Sequence, residues 1–230
     1  MSESPGDLDQ QAEEFGRETA GLLSAALPEL PTPPIEILRR EARYIIRASG
    51  GKGLPLYVKG EQLATLDLRL ACQLDSVGRY LAVEESTFGL LATLDRTPVL
   101  RIDYRRDMYA APAAHVQVHA HRGALSHLLS KAGHRFPHDM SALHIPVGGA
   151  RFRPCLEDFI EFLIVECKFD CQPSWRDCVQ TGRERWRRRQ AAAVTRDLPE
   201  DAARVLRELG YKIEPPEPLP GNKQATLYNW

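Results

Sequence analysis

Between Leu66 and Leu74 the chain alternates strictly: Leu66, Leu68, Leu70, Cys72 and Leu74 share one parity, while Asp67, Arg69, Ala71 and Gln73 share the other. A β-strand turns successive side chains to opposite faces, so this run demands a sheet with one face on a core. Further strand-like runs follow near Tyr80–Ser86, Phe88–Leu94 and Val99–Tyr104, and then at His115–His121. Parallel strands need long crossovers, and these separations are too short for them, so the expectation is an antiparallel meander.

Helical signals flank the strand region. Residues 7–26 carry Phe15, Leu22, Leu23 and Leu27 on an intermittent apolar face, before Pro28, Pro31, Pro33 and Pro34 stop the helix and stiffen a connector. A second short helix is expected from Ile35 to about Ala48, closed by Ser49-Gly50-Gly51-Lys52-Gly53. That glycine cluster lacks the phosphate-loop spacing and reads as a connector. Helices are also expected over Ala124–Lys131, Cys155–Lys168, Ser174–Arg196 and Pro199–Leu209, the last closed by Gly210. The predicted fold is α+β, an antiparallel β-meander packed against helices. It divides into an acidic helical arm and connector (1–34), an α+β core (35–170), a basic helical extension (171–214) and a tail (215–230).

No apolar run approaches the ~18 residues of a membrane span, and the acidic start Met1-Ser2-Glu3-Ser4-Pro5 lacks a signal peptide's basic and apolar regions. Five cysteines, an odd number, argue against a disulfide framework and for reduced thiols. The expectation is a cytoplasmic protein without membrane contact. The net charge of -1 conceals segregation: residues 1–30 hold seven acidic side chains against the single basic Arg17, whereas Arg101 to Arg196 holds 16 Lys and Arg against 10 Asp and Glu. A basic central region attracts phosphates, and an acidic arm competes for the same surface; two ordinary solvated faces would look alike.

All seven histidines fall between His115 and His144. In the run from His115 to His121, period two sends Val116, Val118 and Ala120 to one face and His115, Gln117, His119 and His121 to the other. In the preceding strand, Leu100, Ile102 and Tyr104 alternate with Arg101, Asp103 and Arg105. If the two strands pair, their polar faces combine. Asp103 can then orient an imidazole, Arg101 can hold an anion, and His119 and His121 can move protons in attack on a phosphodiester. A solvated polar face would hold the same residue types. The same histidines could bind a metal, but no local spacing specifies a third ligand, so the expected site carries no metal and the protein no cofactor.

Two cationic segments add phosphate contacts. In Gly148-Gly149-Ala150-Arg151-Phe152-Arg153-Pro154, Gly148 and Gly149 permit close backbone approach, Arg151 and Arg153 can meet phosphate, and Pro154 opens a helix. The run Arg183-Glu184-Arg185-Trp186-Arg187-Arg188-Arg189 offers Arg185, Arg188 and Arg189 to nucleic acid, with Trp186 as an apolar anchor beside Trp175 and Val179. Cys155, Cys167, Cys171 and Cys178 lack paired zinc-ligand spacing and read as packing.

The strand Val99-Leu100-Arg101-Ile102-Asp103-Tyr104, the histidine strand, the loop Val147-Gly148-Gly149 and Phe152 leading into an amphipathic helix together resemble TumE-like bacterial toxin proteins, over about half the chain, Leu56 to Val165. The resemblance implies a compact α+β toxin-type core, an antitoxin-like protein partner and action on RNA or DNA. It assigns no catalytic residue. The leading expectation is a toxin-like protein acting on nucleic acid by metal-independent phosphodiester cleavage or phosphate-directed transfer, a nuclease or a transferase. The alternative is a noncatalytic module binding protein or nucleic acid. A pocket joining His119, Asp103 and Arg151 would favour the enzyme.

Overall fold

The computed structural model describes residues 7–75, 77–95, 97–108, 111–147, 151, 153–214, 216–218, 220–223 and 227. Among them the alternating runs build one eight-stranded sheet from β1 (Ile35–Arg40), β2 (Arg43–Ala48), β3 (Leu54–Val58), β4 (Glu61–Leu74), β5 (Leu81–Ala92), β6 (Pro98–Arg105), β7 (Ala114–Val118) and β8 (Ile145–Pro146). The spatial order is β1-β2-β4-β5-β6-β7-β8, with β3 also paired to β4, and each pairing is antiparallel. The helices are α1 (Leu8–Ala26), α2 (Gly123–Lys131), α3 (Leu156–Val165), α4 (Trp175–Asp197) and α5 (Pro199–Glu208). The fold is therefore α+β, with an N-terminal helix and C-terminal helices. No helix among the described residues is long and apolar enough to cross a membrane.

Residues 35–48, expected to be helical, instead form the β1–β2 hairpin, which pairs Ile35 with Ala48 and Ile37 with Ile46. Four of the apolar residues on its two strands, Ile35, Ile37, Ile45 and Ile46, are β-branched, and Glu41 takes a positive φ of 53° that no helix interior accommodates. Pairing of β2 with β4, Ile46 opposite Leu70, then decides the outcome by burying one face of the hairpin.

The core lies on one face of the sheet. Leu66, Leu68 and Leu70 of β4 meet Phe88 and Leu90 of β5 there, with Phe159, Ile160 and Leu163 of α3, Trp175 and Val179 of α4, and Leu22, Leu23 and Ala26 of α1. Helix α1 starts at Asp7, whose carboxylate accepts the Leu8 amide, and buries Ala12, Gly16, Thr19, Leu23 and Ala26 at helical spacing. Gly16 lets α1 approach β1 closely, since a Cβ there would have to displace the end of the Ile37 side chain. The hydroxyl of Tyr44 and the guanidinium of Arg39 both bind Asp9, fastening the start of α1 to the hairpin.

Candidate functional site

The opposite face of the sheet is polar, and its register is set by the pairing of β6 with β7. Asp103 lies opposite His115 and Arg101 opposite Gln117. Asp103 is buried and accepts hydrogen bonds from Thr87 Oγ1 (2.9 Å) and from Arg101 Nε and Nη2 (3.0 and 2.6 Å). Arg101 is thus committed to Asp103. Burial pushes the neighbouring Asp67 carboxyl up, Asp103 adds to that rise, and Arg101 opposes it.

His115 is 3% exposed, and its Nδ1 lies 2.8 Å from the carbonyl oxygen of Pro112. A carbonyl only accepts, so Nδ1 carries a proton and donates it to Pro112. The His144 ring stands edge-on to His115 with centroids 4.5 Å apart. Gln117 Nε2 donates to the carbonyl of Ser141 (2.9 Å) and lies 3.3 Å from His144 Nε2. Burial holds the His144 pKa below the ordinary histidine value, helped by His115 and opposed by Asp103. His144 therefore stays neutral at pH 7 and keeps an acceptor nitrogen.

The two histidines singled out by parity sit elsewhere. His119 lies one residue past β7, its amide donating to Val99, and its Nε2 is buried with no hydrogen-bond partner among the described residues. The Asp139 carboxyl is held below its usual range chiefly by hydrogen bonds from Ser141, with a smaller contribution from His119. His121 is exposed and its ring stacks on His138 at 6.3 Å. Asp103 is brought together with His115 and His144 rather than with His119 or His121. Among the described residues no three His, Cys, Asp or Glu converge as a metal-ligand set.

The expected phosphate contacts also separate. Gly148 and Gly149 lie outside the described residues. Arg151 binds Asp197 at the end of α4, through Nε at 3.0 Å and through Nη2, and Lys223 Nζ reaches the same carboxylate at 3.1 Å. Burial alone would raise Asp197; the hydrogen bonds and charges of Arg151 and Lys223 outweigh it and hold this carboxyl below its usual range. On α4, Glu18 of α1 takes Arg189 through both oxygens (2.6 and 2.9 Å) and Arg185 at 3.3 Å, while Arg188 pairs with Glu184 four residues back. The acidic helix thus occupies Arg185 and Arg189, two of the cations that the basic helix would offer to phosphate, and Glu184 of the basic helix itself pairs with the third, Arg188.

Arg153 turns to the core side of the sheet. Only 6% exposed, its guanidinium lies 3.8 Å from the centroid of Tyr104 and 4.7 Å from that of Trp186. Burial lowers its pKa to about 10, so it remains charged at neutral pH. Arg153 lines a cavity of about 600 Å³ between α1, α4, the start of α3 and the core face of β4 and β5. Phe15, Leu22, Leu70, Val83 and Phe88 supply apolar wall, Ser86, Cys155 and Glu157 polar wall. At the mouth stand Arg17, Glu18, Arg185 and Arg189. Burial, with the charges of Glu157 and Asp158, pushes the Cys155 thiol far above neutrality, so it is no thiolate. Burial likewise raises the Glu157 carboxyl.

Sequence reasoning missed this cavity. Trp186 and Cys155 read as packing residues, which they are, and no local spacing joins Phe15 to Phe88 and Arg153. No protein-family model matches the chain, and neither a curated protein nor a solved structure matches it.

Proposed function

We propose that this protein is a noncatalytic binding module whose ligand occupies the cavity between α1, α4 and the sheet. The observation that carries this reading is the cavity itself: about 600 Å³, walled largely by apolar side chains, with a buried guanidinium on its wall. That volume falls within the ~300–1,000 Å³ of small-molecule sites, which combine apolar lining with a few placed polar groups. The protonated Cys155 thiol supports binding rather than nucleophilic chemistry there. So does the separation of His119, Asp103 and Arg151, which serve three different local networks. A reducing, cytoplasmic setting belongs to the same proposal, supported by five free cysteines.

The test is titration with Nile red, a neutral apolar dye. Gly21 lines the cavity, and a Cβ there meets open space, so Gly21→Phe fills the mouth without colliding with the helix. Saturable one-to-one dye binding that Gly21→Phe abolishes, with the melting temperature retained, supports the reading. Absence of binding, or equal binding by the variant, refutes it.

A second reading, metal-independent action on RNA or DNA under control of an antitoxin-like protein, is favoured by one observation: the contact of buried His115 with a neutral His144 beside Asp103. A neutral imidazole is a competent general base once its acceptor nitrogen, here facing Gln117, is turned to a substrate. RNA and DNA cleavage by the purified protein, lost in His144→Gln or His119→Gln, would support this reading; cleavage unaffected by either would remove the histidine face from it.

A further inference from the structure

We infer that the ligand of the cavity is an organic anion with an apolar body, its carboxylate or sulfonate seated on Arg153 and its body along Phe15, Val83 and Phe88; this rests on the cavity being a binding site. The Tyr104 and Trp186 rings take the two faces of the Arg153 guanidinium, at 3.8 and 4.7 Å. A guanidinium held by its faces directs its N–H donors edge-on, in the plane that matches a two-oxygen acid group. The guanidiniums of Arg151 and Arg106 lie close enough to act on Arg153, opposed by Tyr104 and Cys155. Around the mouth Arg17, Arg185 and Arg189 stand against Glu18 and Asp177, a small positive balance in which Glu18 already pairs with Arg185 and Arg189. A cationic head group would need the ionised form of Glu157 on the same wall, and burial disfavours that form. The remaining wall is hydrocarbon and aromatic, which rewards an apolar body and gives a free inorganic anion nothing to bury.

Three probes of one chain length separate the possibilities: decanoate, decan-1-ol and decylamine, titrated by calorimetry and by Trp186 fluorescence. Decanoate should bind tightest, with decan-1-ol weaker by roughly ten-fold or more. Arg153→Met should bring decanoate down to the level of the alcohol and leave the alcohol unchanged. If that variant does not fold, the head-group comparison on the unaltered protein decides by itself. Equal affinity for acid and alcohol, or preference for the amine, overturns the anion inference while the cavity remains a binding site. Failure of all three, together with failure of Nile red, removes the binding site and the inference with it.

Discussion

Asp103 and His115 stand directly opposite one another on β6 and β7, both buried, on the sheet face away from the core. The pairing fixes which histidine can feel the carboxylate. It also makes Asp103 a structural anchor, since Thr87 and Arg101 both donate to it. Asp103→Ala should cost about 1.5–3 kcal/mol in urea unfolding, the range for hydrogen bonds to a charged group. Asp103→Asn, which keeps an acceptor for Thr87, should cost less. Equal losses in the two variants would show that the Thr87 hydrogen bond contributes nothing and the ion pair with Arg101 carries the whole effect.

His144 should make the protein acid-sensitive. Its folded pKa is depressed by burial first and by His115 second, so between that value and the ordinary histidine pKa of about 6.5 the unfolded chain binds more protons. The stability it contributes is present above that ordinary value and is lost as pH falls toward the folded pKa. NMR titration should place the His144 midpoint below the ordinary histidine value, and His144→Gln should flatten the acid limb of the stability curve. An unchanged acid limb would mean that another group controls it.

Strand parity separates His119 from Val118. His119→Gln removes a ring nitrogen that makes no hydrogen bond with a described residue, and should shift stability by no more than about 0.5 kcal/mol. Val118→Asp puts a carboxylate on the core-side face of β7, where Val118 is half-buried, and should cost about 1–3 kcal/mol. Thermal unfolding of the two variants side by side checks the assignment of faces.

Two helix glycines should respond with opposite signs. A Cβ on Gly182 would stand 2.5 Å from Glu157 Oε1 and 2.9 Å from its Cγ, so Gly182→Ala must displace the start of α3 or the Glu157 side chain and should destabilise by about 1–3 kcal/mol. At Gly21 the space is open, and Gly21→Ala should stabilise α1 by roughly 0.5–1 kcal/mol. Chemical denaturation of both variants gives the signs directly.

Glu18 should act as a brake on polyanion binding. It holds Arg185 and Arg189, so Glu18→Gln releases two cations onto the α4 surface. The variant should elute from heparin at higher salt than the parent, with little change in unfolding midpoint because the pairs are partly exposed. Identical elution would place any polyanion surface elsewhere.

Periodicity was sufficient for most faces of the elements. The alternation from Leu66 to Leu70, and of Leu100, Ile102 and Tyr104 against Arg101 and Asp103, follows from strand geometry, and the short separations follow from antiparallel connection. It fails beyond the register shift at Ala71 and Cys72, where Ala71 is buried and Leu74 exposed. It was insufficient for residues 35–48, whose apolar residues suit a helical face nearly as well as a hairpin until β4 is there to pair with.

Which side chains meet was decided only in three dimensions. Asp103 could have faced His119 or His115 until the β6–β7 register was set. Arg151 and Arg153, two residues apart and alike as phosphate ligands in the sequence, go to different partners, Asp197 and the Tyr104–Trp186 clamp. Local spacing carries the direction of a side chain relative to its own element. The partner it finds depends on how distant elements close upon one another, and the cavity joining Phe15, Phe88 and Arg153 exists only once α1 and α4 have packed on the sheet.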